Sequence, residues 1–177
     1  MTILNIVKYP NKVLRERAEE IEEITEEIEM LAHDMLETMY ANKGIGLAAN
    51  QVGILSRIIV IDLQEDEDEE EIYNPMIFIN PEIIWSSEEQ EERDEGCLSL
   101  TKMSGTVKRP SKIKVSYLDI DGEKQSIETD GLLATCLQHE IDHLNGIMFI
   151  DRMSKLKRDI ILKKYKKFQE EEKSNCK

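Results

Sequence analysis

The spacing of apolar residues predicts three helices. Between Thr25 and about Tyr40, apolar side chains recur every three or four positions, which is typical of an amphipathic helix. A second helix is expected after Asp130, whose side chain can cap it, and should end at Asn145-Gly146. A third helix is expected after Ser154, and its apolar face would comprise Leu156, Ile160, Ile161, Leu162, Tyr165 and Phe168.

Runs of β-branched or alternating residues predict the strands. Arg57 to Leu63 is typical of a buried strand, and Met76 to Trp85 reads as two strand pieces around Pro81. Lys112 to Leu118 and Lys124 to Thr129 predict a hairpin, because Asp121-Gly122 between them is a strong turn signal. The chain therefore combines helices with strands, and neither internal repeats nor a linker divide it.

The composition limits the class of protein. A chain of 177 residues with 40% hydrophobic and 34% charged residues is typical of one folded domain, taken as residues 1–177 with a frayed tail from about 170. No apolar run is long enough to span a membrane, and the N-terminus has no basic leader, so we expect a cytoplasmic protein. Three cysteines argue against a disulfide scaffold.

The net charge of −14 is unevenly distributed. Residues 65–71 form an unbroken acidic run, which we expect to be a solvated loop. Residues 152–167, in contrast, contain eight Lys or Arg and one acid, a local charge of +7. This pattern favours a localised anionic partner over general nucleic-acid affinity.

The second helix contains the most informative motif, H-E-x-x-H, at His139 to His143. Histidines four residues apart lie on one face of a helix, so both can reach one metal ion. Glu140 could act on a metal-bound water without binding the metal itself. An ordinary polar pair on a surface helix gives the same short pattern, and only a third ligand distinguishes the two interpretations.

The third ligand is expected upstream of the motif. A catalytic site of this kind needs three protein ligands and one open position. Phe149 stands where one large peptidase class has its third histidine, and no histidine follows His143. Cys97 is the best candidate, because a thiolate binds iron or zinc strongly and a Gly-Cys turn would expose it. Cys136 is the competitor, although its apolar neighbours are more typical of a core cysteine.

Three blocks of the sequence resemble the signature blocks of the peptide deformylase family. They are Gly44-Ile45-Gly46-Leu47-Ala48-Ala49-Asn50-Gln51, Glu95-Gly96-Cys97-Leu98-Ser99 and Gln138-His139-Glu140-Ile141-Asp142-His143-Leu144-Asn145-Gly146. Their order and separation also match, and the similarity covers nearly the whole chain. The resemblance implies a single-domain α+β fold, with antiparallel or mixed sheets around a central helix that carries the motif, and a C-terminal helix. It also implies a hydrolase that removes the formyl group from N-formyl-methionyl peptides and releases formate.

The resemblance assigns roles to individual residues. Cys97, His139 and His143 would hold one divalent metal, with Fe(II) as the physiological ion and Zn(II) or Ni(II) as substitutes. A metal-bound water would attack the formyl carbon, and Glu140 would serve as general base and then general acid. The Gln51 amide and the Leu98 backbone N–H would stabilise the oxyanion.

Further residues are expected around the peptide. The substrate would lie extended along Ile45-Gly46, with its methionine side chain in an apolar pocket. Glu95 and Asp142 could orient the metal ligands, or either could be a solvated acid. This chain departs from the family pattern at three positions that border the expected groove, so peptide preference is affected more than the reaction. The departures are Lys43, Thr101 and Ser104.

Two rival functions and one partner are also considered. The same scaffold could act on another amide as a paralogue, or it could be a metal-stabilised binding module with a closed, four-ligand site. The basic segment from Lys155 to Lys167 could dock a monomeric enzyme on ribosomal RNA, as the terminal helix of similar enzymes does, or it could simply be a solvated helix face.

Overall fold

A computed structural model describes residues 2–67 and 70–175. Within these residues it has three α-helices, which are α1 (Glu26–Ala41), α2 (Gly131–Leu144) and α3 (Lys155–Asn175). The strands of the same residues are β1 (Gly46–Ala48), β2 (Ile58–Ile61), β3 (Glu65–Glu67), β4 (Glu70–Ile72), β5 (Met76–Ser86), β6 (Gln90–Gly96), β7 (Ser104–Pro110), β8 (Lys112–Leu118) and β9 (Lys124–Asp130).

A five-stranded antiparallel sheet forms the centre, in the order β1-β2-β5-β8-β9. Successive side chains of a strand point to opposite faces of a sheet. Ile59 and Ile61 therefore face α2 on one side, whereas Ile58 and Val60 face α1 on the other. This two-sided cover explains why all four residues of β2 are buried. It also places α2, the helix with the histidine motif, in the core.

Two smaller hairpins flank this sheet. Strands β6 and β7 pair in register from Gln90↔Pro110 to Gly96↔Ser104, and the pairing ends immediately before Cys97. A separate apolar cluster lies beneath α3. It joins Ile161 and Tyr165 of that helix to Leu100, Val107 and Phe149. Helix α3 thereby holds the turn that follows Cys97 against the rest of the molecule. Strands β3 and β4 form the other hairpin.

The predicted α+β fold with a central motif helix and a C-terminal helix is confirmed, and all three helices start within two residues of their expected positions. The strand around Pro81 is continuous, with one register shift between Ile79 and Glu82, which spans that residue, and a second between Ile83 and Trp85. No helix in the described part of the chain is both long and apolar enough to cross a membrane.

Several local predictions were wrong. The acidic run forms strands β3 and β4 where it is described, and residues 68–69 lie outside the described residues. Helix α3 continues to Asn175, residues 176–177 lie outside the described residues, and the frayed tail stays a prediction. Asp130 occupies the N-cap position of α2 without a side-chain cap hydrogen bond. Leu156 and Ile160, assigned to the apolar face of α3, are 72% and 47% exposed.

Candidate metal centre and active site

Three potential metal ligands lie close together in the interior of the protein. Each of Cys97, His139 and His143 offers one ligand atom, and these atoms all lie within 4.8 Å of one another. The Cys97 Sγ is 3.3 Å from His143 Nε2, which is 3.2 Å from His139 Nε2. Both histidines are buried on one face of α2, as expected for residues four apart in a helix. Cys97 reaches them because β6 ends beside α2.

The donor set fits a single transition-metal ion. Two atoms bound to one tetrahedral zinc or iron at about 2.0–2.3 Å would be roughly 3.3–3.6 Å apart, close to the separations observed. The groups around His139 also favour a positive charge, either a proton or a metal ion. Although burial opposes protonation of His139, hydrogen bonds with Cys97 and Glu95 raise its pKa. Burial and the charge of His139 lower the pKa of His143, which keeps that ring neutral as a ligand must be.

The competitor Cys136 is not part of this group. It is buried, its Sγ donates to the Ile45 carbonyl at 3.7 Å, and burial raises the pKa of its thiol. A protonated core cysteine is a poor metal ligand, since the thiolate is the binding form.

A buried charge network supports His139. The Glu95 Oε2 is 2.8 Å from His139 Nδ1, which leaves Nε2 for the metal. Arg109 binds both oxygens of Glu95, at 2.5 and 3.0 Å, and the Asp142 carboxylate at 2.8 Å. Burial opposes the ionisation of Glu95, yet its bonds with His139 and Arg109 lower its pKa to about 2. Glu95 is therefore a fixed anion that orients the imidazole.

Asp142 does not contact a metal ligand directly among the described contacts. Its carboxylate binds Arg109 on one side and Arg152 on the other, at 2.8 and 2.5 Å. It can influence His139 only through Arg109 and Glu95. The ring nitrogen Nδ1 of His143 has no hydrogen-bond partner among the described residues.

Glu140 is buried beside the metal ligands, and its Oε2 has no hydrogen-bond partner in the described structure. Burial raises its pKa to about 7, an effect that the charge of His139 opposes and that of Glu95 reinforces. Gly46 lies against it, since a Cβ at that position would be 2.6 Å from Glu140 Oε1. The carboxylate is therefore available to a bound water or substrate at the wall formed by Gly46.

A pocket of about 450 Å³ opens above these groups. Ile45, Gly46 and Leu98 are among the residues that line it. Gln51 is 1% exposed, and its Nε2 lies 3.5 Å from Cys97 Sγ and 3.4 Å from Ser99 Oγ. Its Oε1 accepts from the Ala48 N–H, so the amide NH₂ group faces the site. The structure therefore brings most of the predicted site residues to one pocket, whereas His143 lies behind it against Cys97 and His139, and Asp142 is joined to the site only through Arg109.

Sequence reasoning missed three residues at the site. Arg109 is the buried partner of Glu95, and Ser99 is a partner of Gln51. Lys8 donates from Nζ to the Leu98 carbonyl at 2.7 Å and to Thr101 Oγ1 at 2.8 Å. None of the three gave a local signal, because each contact joins segments that are distant in the sequence.

The three departures have different positions. Lys43 and Thr101 line the pocket, whereas Ser104 is exposed at the start of β7 and does not line it. The Thr101 hydroxyl donates to the Leu98 carbonyl at 3.3 Å.

An α+β fold that brings an H-E-x-x-H helix and a cysteine from a separate hairpin to the base of one pocket defines a metallohydrolase. The sequence profile described as Polypeptide deformylase matches residues 3–159. The chain belongs to this family and is an enzyme.

Individual relatives agree with this assignment. The chain is 48% identical to a peptide deformylase of Rhizobium meliloti, over 94% of each protein. It is 49% identical to that of Agrobacterium fabrum, over 94% of this chain and 96% of the relative. The structure is similar to a crystal structure of peptide deformylase from Ehrlichia chaffeensis in complex with actinonin. That comparison has a TM-score of 0.87 and 46% identity, and covers 94% of this chain and 98% of the other.

Proposed function

We propose that this enzyme removes the formyl group from the N-terminal formyl-methionine of newly synthesised polypeptides and releases formate. One observation carries the proposal: Glu140 presents an unpartnered, buried carboxylate oxygen beside Cys97, His139 and His143 at the base of an open pocket. A hydrolase needs a base at this position, whereas a purely structural metal site does not.

Binding of the substrate is assigned to residues that line the pocket. The peptide backbone would lie along Ile45-Gly46, and the small Gly46 would let it approach Glu140 closely. The methionine side chain would occupy the part of the pocket lined by Leu132 and Cys136. The amide of Gln51 and the backbone N–H of Leu98 would donate to the formyl oxygen as it becomes negative.

Glu140 carries out the proton transfers. Its carboxylate would accept a proton from the attacking water and return it to the departing amine, so the leaving group departs as a neutral amine. The Cys97, His139 and His143 side chains would hold the metal, with Glu95 orienting His139. When bound, that ion would supply Lewis acidity, which lowers the pKa of water and polarises a carbonyl.

Fe(II) is the proposed physiological ion, and Zn(II) or Ni(II) would occupy the same ligands. A thiolate with two imidazoles accepts any of these ions. The choice of iron rests on the resemblance of the sequence blocks to the family, because the ligand set does not distinguish these ions.

The two rival functions have less support. A closed binding module would need a fourth protein ligand, and the metal-binding group found among the described residues contains three. An enzyme for another amide would not need a pocket wall as close to the base as Gly46 is, because a formyl group is the smallest acyl group.

The test is a comparison of N-formyl-Met-Ala-Ser with N-acetyl-Met-Ala-Ser under anaerobic conditions with Fe(II). We expect formate release from the first peptide and at least about 100-fold slower acetate release, since one added methyl group would be forced against Gly46 and Glu140. Equal rates would favour the general amidase, and no release from either peptide would contradict the proposed reaction.

Helix α3 is proposed to dock a monomeric, cytoplasmic enzyme on ribosomal RNA. Its six lysines between Lys155 and Lys167 are exposed, as are Leu156 and Ile160. Co-sedimentation with ribosomes should weaken with added salt and after Lys163, Lys164, Lys166 and Lys167 are changed to Gln. Sedimentation that neither salt nor these changes affect would contradict docking.

A further inference from the structure

The pocket is lined by as many lysines as acids, although the protein has a net charge of −14. Three lysines line this pocket: Lys8, Lys43 and Lys102. All three lie close to the turn formed by residues 98–101, the Leu98–Thr101 turn. Lys8 binds the Leu98 carbonyl, Lys43 precedes Gly44, and Lys102 follows Thr101. Gly44 packs against Leu98, because a Cβ there would be 2.8 Å from Leu98 Cδ1.

Lys43 and Lys102 are held in an unusual backbone conformation. Their φ angles are +55° and +62°, in the left-handed region that favours glycine or asparagine. The two other non-glycine residues described with positive φ form side-chain hydrogen bonds that offset the energetic cost of this backbone conformation. Gln64 donates to the Gly44 carbonyl, and Asn80 binds the backbone of Ile21. The ammonium groups of Lys43 and Lys102 bind no protein oxygen among the described residues.

No carboxylate of the described residues neutralises Lys43 or Lys102. Neither Lys43 nor Lys102 belongs to an ion pair of the described structure, although the Lys102 ammonium lies 4.8 Å from the centre of the Phe168 ring. Three acids line the same pocket. Glu95 is paired with Arg109 and Glu140 is buried at the base, whereas Asp94 is exposed and keeps its charge, with a hydrogen bond from the Thr106 hydroxyl. An anion on a bound ligand would therefore find unpaired cations at the mouth.

The wall geometry indicates which part of a peptide would meet them. Gly46 lies beside Glu140, where the formyl-methionine would react, and the wall then runs through Ile45 and Gly44 to Lys43. An extended chain rises about 3.3 Å per residue, so three residues span at most roughly 10 Å, and this stretch is shorter because Lys43 lies in the turn that follows α1. A peptide extended along this wall would place its second and third residues beside Gly44 and Lys43.

We propose that Lys43 and Lys102, on either side of the Leu98–Thr101 turn, select formyl-methionyl peptides that carry an acidic residue at the second or third position. This specificity rests on the proposed function, because it concerns the residues that follow the formyl-methionine. It involves no change in the chemistry at Glu140. Lys8 contributes charge but is already bound to Leu98 and Thr101.

The test compares formyl-Met-Ala-Glu, formyl-Met-Glu-Ala and their counterparts with Lys or Gln at the same position, all as C-terminal amides. Near-surface charge pairs typically change affinity by a few-fold each, so we expect kcat/KM for the better Glu peptide to exceed that for its Lys counterpart by about five- to thirtyfold. The ratio should fall towards one between about 0.05 M and about 0.5 M salt, since added ions screen exposed charges.

Variants identify the residues responsible. The double variant Lys43→Gln/Lys102→Gln should reduce the Glu-to-Lys ratio to within about twofold of one, because glutamine keeps the chain length and removes only the charge. The control Lys124→Gln, at an exposed lysine of β9 that does not line the pocket, should leave the ratio unchanged. A ratio near one in the wild type, or one that the double variant retains, would overturn the proposal.

Equilibrium binding separates this proposal from the reaction itself. The deformylated peptides Met-Ala-Glu and Met-Ala-Lys, again as amides, are titrated against metal-loaded protein by calorimetry. The first should bind at least about threefold more tightly, and the double variant should remove the difference. Absence of formate with a preserved affinity difference would contradict the reaction alone, whereas formate release with equal affinities and rates would contradict the selection alone.

Discussion

Replacing Glu140 with glutamine is expected to lower kcat for formyl-Met-Ala-Ser by about 10²–10⁴-fold, the range that general acid–base catalysis typically contributes. The amide of glutamine has nearly the shape of the carboxylate but cannot accept the proton. Cys97, His139 and His143 are unaltered, so metal content should remain at the wild-type level. KM should change little, because Glu140 is assigned to proton transfer and not to peptide binding.

Stability provides an independent check on Glu140. Its pKa is raised from 4.5 to about 7, so the folded state favours the protonated carboxyl. In the metal-free wild type, the stabilisation from this group is full below about pH 4.5 and is lost as pH rises through 7. The Glu140→Gln protein should lack this decline and be at least as stable at pH 8.

Formate release, bound metal and chemical denaturation are measured for wild type, Glu140→Gln and Glu128→Gln. Glu128 is an exposed acid of β9 and serves as the matched control, with kcat within twofold of wild type. If Glu140→Gln retained more than about a tenth of the wild-type kcat with full metal, Glu140 would not be the base.

Replacing Arg109 with methionine is expected to destabilise the metal-free protein by about 3–5 kcal/mol, the usual cost of removing one partner of a buried ion pair. Arg109 has 6% of its side chain exposed, and its two acidic partners, Glu95 and Asp142, have 4% and 8%. Methionine retains much of the apolar stem but leaves Glu95 without its guanidinium. Burial would then raise the pKa of that carboxyl.

The pH dependence of this cost has a definite sign. In the wild type the pKa of Glu95 is lowered to about 2, so its stabilisation is present above about 4.5 and is lost as pH falls towards 2. The difference in unfolding free energy between wild type and Arg109→Met should therefore shrink as pH falls through this window. Metal affinity should also drop by about 10–100-fold, because Glu95 no longer holds His139 firmly.

Urea denaturation at several pH values and competition with a metal chelator measure these two effects. Arg93→Met is the matched control on the same hairpin, because Arg93 pairs with Glu91 while both are partly exposed. It should cost no more than about 1 kcal/mol. A cost that small for Arg109→Met, with unchanged metal affinity, would rule out Arg109 as the residue that positions Glu95.

The sequence alone predicted the parts of the site that depend on local spacing. His139 and His143 share a helix face because of their separation, and Cys97 was the better upstream candidate because Cys136 has apolar neighbours. The three helices followed from periodicity in the same way. The helices and the shared face of the two histidines could be predicted because each pattern lies within a single element.

The rest of the site depends on contacts between distant segments. The acidic residues before Cys97 gave no apolar alternation, yet they pair with β7 as strand β6. That pairing places Glu95 opposite Gly105 and Arg109 opposite Glu91, and the long Arg109 side chain reaches the Glu95 carboxylate. Arg109 was missed because a lone arginine in a strand gives no local signal. Leu156 and Ile160 were misassigned because α3 packs through a narrow face around Ile161 and Tyr165.

Metal titration of one anaerobic preparation tests the central claim most directly. The metal-free wild-type protein is titrated with Fe(II), and formate release from formyl-Met-Ala-Ser is followed at each addition. We predict that the rate is negligible without metal, rises in proportion to added iron and becomes constant at one ion per chain. Cys97→Ala should give no such rise at the same concentrations. A full rate in the metal-free protein, or no formate at one bound ion per chain, would contradict the account.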